Sequence, residues 1–159
     1  MRRKDREVTN TEDILHIIDQ TTVLRLGLFD DEYPYIVPMN FGYTFSDGTL
    51  NFYMHCAREG HKLDLIRKNP HVCIELEGDT EAISGGDVAC RYGTVYSSVI
   101  GRGTARLLEG EEERLRGLHL IMAHMTGRSF DISGRMIGGL EIIEVTVPDF
   151  TAKARKKPA

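Results

Sequence analysis

The stretch Tyr53–Pro70, YMHCAREGHKLDLIRKNP, decides how this chain folds and what it can hold. It ends a run, LNFYMH, in which Leu50, Phe52 and Met54 face one way and Asn51, Tyr53 and His55 the other. That period of two marks a strand. A turn containing Gly60 follows, and His61 and Lys62 stand at the start of a short helix over about Lys62 to Lys68. Asn69-Pro70 stops it. A helix start offers free backbone N–H groups and a partial positive charge, and Lys62 adds a full one. Such a cradle suits a phosphate, although the P-loop pattern GxxxxGK[ST] is absent. A basic helix start is also a common solvated surface, and residue types alone leave both readings open.

Working outward, Thr9 and Glu12 have capping-box spacing, and Ile14, Leu15, Ile17 and Ile18 share a face, which predicts a helix over about Thr11 to Gln20. TVLRLGLF alternates as a half-buried strand, and YPYIVPMNFGYTF continues as one or two more. Pro34 and Pro38 cannot donate to a ladder, so they belong at an edge or a bulge. Ser46-Asp47-Gly48 reads as a hairpin turn. Beyond Pro70, Val72, Ile74 and Leu76 mark a strand, Gly78 to Gly86 a polar loop, and Thr94 to Leu108 a long strand bent at Gly101 and Gly103. Glu111 to Met125 is an amphipathic helix with an acidic first turn, and Leu115, Leu118, Ile121, Met122 and Met125 form its apolar face. His124 lies off that face and is expected to be exposed. Gly127 to Gly139 is loop-like. LEIIEVTV closes as a strand that FTAKARKK can extend.

Strands joined by short turns pair antiparallel. The expected fold is therefore mainly β and largely antiparallel, a barrel with peripheral helices. The 159 residues are 41% hydrophobic, enough for one domain with a real core. No internal repeat or second domain is visible, so residues 1–159 form a single domain with short basic tails at 1–8 and 153–159. The tails read as solvated termini.

A formal net charge of −4 argues against a nucleic-acid partner. No apolar run approaches a membrane span, and MRRKDREVTN lacks the apolar core of a secretory signal. The three cysteines, Cys56, Cys73 and Cys90, read as reduced thiols, so a cytoplasmic location is expected. No metal is expected either, because His55, Cys56, His61, His71 and Cys73 lack C-x-x-C, H-x-x-x-H or H-E-x-x-H spacing. Neighbours on a strand point to opposite faces, so His55 and Cys56 cannot easily act as base and nucleophile.

Three motifs carry a resemblance. They are Val37-Pro38-Met39-Asn40-Phe41-Gly42-Tyr43; the set Tyr53, His55, Ala57, Gly60, Lys62, Asp64, Ile66, Asn69 and Pro70; and Cys90 followed by Tyr96-Ser97-Ser98-Val99-Ile100-Gly101. With these the chain resembles the FMN-binding split-barrel flavoproteins related to pyridoxamine 5′-phosphate oxidase, in particular the nitroimidazole-resistance-like group. The resemblance runs from about Ile14 to Ala154. It implies a split β-barrel and a homodimer with FMN at the interface. Val37, Pro38, Met39 and Asn40 would offer backbone groups to the flavin ring. Tyr53, His55 and Cys56 would line the ring edge, ribityl chain or phosphate. His61, Lys62 and Leu63 would form the phosphate end, and Tyr96 and Ser98 would reach in from the partner subunit.

The implied activity is FMN-dependent oxidoreduction of a small substrate, nitroaromatic or quinone-like, with no catalytic acid or base assigned. The alternatives are a non-catalytic flavin-binding or sensing protein, or a split barrel using heme or a deazaflavin. The chain departs from the family pattern in four ways, one being His61 in place of a residue that is often basic or polar. Its end lacks the oxidase's substrate motif of arginine and proline. Ser97 stands where relatives often carry Arg, and Arg102 where an aromatic is common.

Overall fold

Alternating apolar residues build one antiparallel sheet in the computed structural model, which describes residues 2–156. Strand β1 is Glu7–Val8, followed by helix α1, Thr11–Asp19. Then come β2, Val23–Leu28; β3, Tyr35–Asn40; β4, Gly42–Ser46; and β5, Thr49–Ala57. Helix α2, His61–Lys68, leads into β6, His71–Ile83, and β7, Gly93–Leu107. Helix α3, Glu111–Thr126, precedes the last strand, β8, Leu140–Arg155. The sheet order is β3-β2-β6-β7-β8-β5-β4, with β1 paired to β8. Every pairing is antiparallel. The sheet curls into a half-barrel, so that β3 at one end comes into contact with β5 near the other.

The curl has an inside and an outside. Inside lie Leu24, Leu26 and Leu28 of β2, Leu50, Phe52 and Met54 of β5, and Ile143, Val145 and Val147 of β8. Helix α1 adds Ile14, Ile17 and Ile18, and α2 adds Leu63, Leu65 and Ile66. Helix α3 instead covers part of the outside, over β4, β5 and β8. There Leu118 and Ile121 pack on Tyr53, Leu108 and Ile142 in a second cluster. The approach is close: a Cβ at Gly42 would overlap the Leu120 carbonyl. Under α3 runs a cross-strand row of Gly42, Tyr53, Glu144 and Arg106. Glu144 is buried and accepts from Arg106 Nε at 2.5 Å. Arg106 Nη1 also reaches Glu113 at 3.1 Å, and Glu113 in turn accepts from the N–H groups of Glu109 and Gly110, capping α3.

Several expectations need correction. Helix α1 is capped by Asn10, which accepts from the Asp13 N–H at 3.1 Å, not by Thr9. Gly78 to Gly86 is not wholly a loop: β6 continues to Ile83 through a register shift between Gly78 and Glu81. Pairing with β7 holds this polar segment in the ladder, helped by Ser97 Oγ donating to the Gly78 carbonyl. His124 is half-buried: Nε2 lies 2.7 Å from the Thr21 carbonyl, and the ring sits 4.5 Å from that of Phe41. Other expectations match. Pro38 lies on the edge strand β3, the β4–β5 turn carries positive φ at Asp47 and Gly48, and the β7 register shifts between Arg102 and Thr104.

Candidate functional site

Helix α2 begins without a side-chain cap. Its N-cap is Gly60, at φ 149°, a conformation that favours glycine. Open space surrounds the position a Cβ would take there. Leu63 N–H bonds back to the Gly60 carbonyl at 2.9 Å, while the amides of His61 and Lys62 find no protein acceptor among the described residues. These two N–H groups and the helix dipole make a small region of positive potential. Lys62 is half-buried and makes no hydrogen bond or ion pair among the described residues. An anion carrying several acceptor oxygens fits this donor set.

His61 is occupied differently. Its Nε2 lies 2.7 Å from Asp30 Oδ2, and its ring meets Tyr35 edge-on at 5.0 Å. About two turns on, Lys68 bonds Asp31 at 2.6 Å. Together these contacts tie α2 to the β2–β3 turn. The acidic DDE segment is visible in the sequence as a turn, but nothing local marks Asp30 and Asp31 as anchors for α2.

Cys56, near the end of β5, is half-buried. Burial pushes its thiol pKa up, Lys62 and Arg67 pull it down, and Glu141 adds to the rise. Cys56 therefore shares its electrostatic surroundings with Lys62. His55 points to the outer face and is exposed. Tyr53, two residues earlier on that face, is only 4% exposed beneath α3. Burial raises its hydroxyl pKa, and its bond to Glu144 adds to the rise. Leu63 is fully buried in the core.

On β3, Met39 is buried and Val37 half-buried, while Pro38 and Asn40 face outward. Asn40 Nδ2 donates to the Thr22 carbonyl at 2.9 Å. Because β3 is a sheet edge, one side of its backbone is left without a strand partner. The end of β5 and the start of α2 bring Cys56 and Lys62 together, His61 meets the start of β3 at Tyr35, and Val37–Asn40 run from there along the edge to Thr22.

Tyr96 and Ser98 are elsewhere. Tyr96 lies opposite Arg155, whereas Ala57, close to α2, lies opposite Leu140. Those positions mark the two ends of β8, roughly 50 Å of strand contour apart. Arg6 covers Tyr96, with Nη1 3.3 Å from its hydroxyl. Ser98 pairs across the strands with Glu77 and Lys153. Among the described residues no group of three or more His, Cys, Asp or Glu side chains could hold a metal ion. No helix among them is long and apolar enough to cross a membrane.

Comparison with known proteins agrees with this architecture. A structure from Bacteroides thetaiotaomicron, provisionally described as a 5-nitroimidazole antibiotic resistance protein, is 30% identical with a TM-score of 0.78; the match covers 93% of this chain and 86% of that one. An FAD- and heme-binding protein from Mycobacterium smegmatis shares the fold at 12% identity, TM-score 0.80, over 96% of this chain and 74% of that one. An FAD-binding protein from Mesorhizobium loti does so at 18% identity, TM-score 0.63, over 93% and 96%. No curated protein matches the chain. The family model described as pyridoxamine 5′-phosphate oxidase matches residues 10–154. With nearly the whole chain matched and the split half-barrel in place, this protein belongs to the pyridoxamine 5′-phosphate oxidase-like family.

Proposed function

We propose that this protein is a flavin-dependent oxidoreductase that holds FMN with its phosphate at the start of α2. The observation that carries this reading is the uncapped first turn at Gly60, with two free amides beside an unpaired Lys62. Backbone N–H donors and a lysine match a phosphate dianion, and charge-assisted bonds contribute about 1.5–3 kcal/mol each. The open edge of β3 supplies unpaired backbone groups to the polar rim of a flat ring. His61, anchored on Asp30, keeps the helix start in place, and Cys56 lines the space between. The bound flavin would carry the electrons, and the protein would orient it and set its electrostatic surroundings.

Tyr96 and Ser98 lie toward the other end of β8 from this group. The proposal therefore brings them from a second copy of the chain, in a homodimer with the cofactor at its interface. Substrate choice follows the likeness to the Bacteroides protein: a small nitroaromatic or quinone-like acceptor. A second reading, FAD in place of FMN, is favoured by two fold neighbours described as FAD-binding.

The absorption spectrum of the purified protein, with chromatography of the released flavin, tests cofactor and identity together. Lys62→Ala should weaken FMN binding roughly ten- to hundredfold, the equivalent of one charge-assisted bond. Unchanged affinity would remove the phosphate from α2. Bound FMN that stays oxidised under NADH and NADPH would favour a non-catalytic flavin carrier.

A further inference from the structure

Helix α3 covers the outer face of the sheet on one side only. Over β2, β3, β6 and β7 that face is bare, with Phe29 64% and Ile36 62% exposed. A cleft of about 600 Å³ lies there. The sequence makes it by omission: Gly27 of β2 stands in register with Ile36 on one side and Cys73 on the other, and has no side chain to fill the row. Phe29, Pro34 and Ile36 wall the cleft, and Cys73 and Arg102, paired across β6 and β7, supply polar atoms.

Arg102 decides what such a cleft would take. It forms no ion pair or hydrogen bond among the described residues, not even with Asp149, which lies opposite on β8. No carboxylate lines the cleft. A guanidinium is planar, weakly hydrated and pairs two-pronged with a carboxylate, and the walls favour a flat apolar body. The volume lies within the range of small-ligand pockets. Arg102 is the one permanently charged side chain in a lining that also holds His71, and with Asp149 nearby it suits a monoanion better than a doubly charged phosphate. We propose that this cleft is a binding site for a small aromatic carboxylate, held by Arg102 against Phe29, Pro34 and Ile36.

The site adjoins the proposed flavin region without using its residues. Ile36 runs directly into Val37–Asn40, and Phe29 into Asp30, the partner of His61. As a substrate pocket the cleft rests on the flavin reading; as a binding site it does not.

Calorimetric titration with benzoate and with benzamide, its neutral isostere, separates charge from shape. Benzoate should bind about tenfold more tightly, and Arg102→Gln should level the two. Gly27→Val should remove both, since its side chain would occupy the floor. Benzoate should also slow iodoacetamide labelling of Cys73 severalfold, read on the Cys73 peptide by mass spectrometry. Flavin content is measured in parallel: benzoate binding that persists without flavin leaves the site standing while the flavin reading fails. Equal affinities for the two ligands, or no effect of Arg102→Gln, would overturn the proposal. So would a Cys73 that is protected without ligand and becomes reactive on dilution, because a second copy of the chain would then cover the cleft.

Discussion

At the residue scale, the site is a set of donors whose partners are absent and anchors whose partners are present. Among the described residues, Lys62 and the amides of His61 and Lys62 belong to the first group, and the His61 ring on Asp30 to the second. Cys56 reports on both, since burial raises its pKa and Lys62 opposes the rise. Thiolate is the reactive form, so a raised pKa means slow alkylation at neutral pH that quickens as pH climbs. Of the three cysteines, Cys56 should be the slowest to react with iodoacetamide, because Cys73 and Cys90 are exposed. Lys62→Ala should slow Cys56 further and leave Cys90 unchanged; a faster Cys56 in that variant would show that Lys62 does not act on it. Gly60, Lys62 and Asn69-Pro70 are legible in the sequence because helix starts and stops follow local rules. Asp30 is not, because its role depends on a helix thirty residues later meeting the β2–β3 turn. His124 shows the same limit: helical periodicity sets its face, but only the folded chain brings the Thr21 carbonyl to it.

At the scale of elements, α3 is fixed by a polar row as much as by its apolar face. Arg106 joins Glu144 under the helix to Glu113 at its start. Removing the cation in Arg106→Met leaves Glu144 buried with the Tyr53 hydroxyl as its partner. The cost should be about 1–3 kcal/mol, below that of a fully buried pair because the Arg106 side chain is 54% exposed. Thermal unfolding should fall by several degrees. Adding Glu144→Gln should restore part of the loss, and a double variant as unstable as the sum of the singles would refute the coupling. The amphipathic pattern of α3 reads directly from its spacing. The row beneath it does not, because Tyr53, Arg106 and Glu144 are brought together by register across three strands. The same reason explains the misread Gly78–Gly86 segment: its composition is that of a loop, and only the facing strand β7 makes it part of the sheet.

At the scale of the molecule, the outer surface is divided into a half covered by α3 and a half left bare. Tyr96, under Arg6, and Ser98 lie on the half that α3 leaves uncovered, far along β8 from α2. If one flavin touches both regions, its affinity must depend on assembly. Sedimentation should then show a dimer, and dilution to monomer should release FMN. Retention of FMN by a monomer would confine the site to the β3–α2 end. The barrel itself is legible from alternation and turn residues, since each strand announces its own period. Strand order is not, because β2 beside β6 and β1 beside β8 are contacts between distant parts of the chain.

Strand β8 pairs with β1, β5 and β7, so a strand made after all of its partners joins the two arms of the sheet. Until it emerges from the ribosome, β5 lacks one ladder neighbour and β7 another, and their apolar faces wait unpaired. Such non-local pairing slows folding and prolongs the exposure of strand edges. In the cell, the yield of this protein should therefore depend on how well the nascent chain is shielded until the sixteen residues of β8 have emerged.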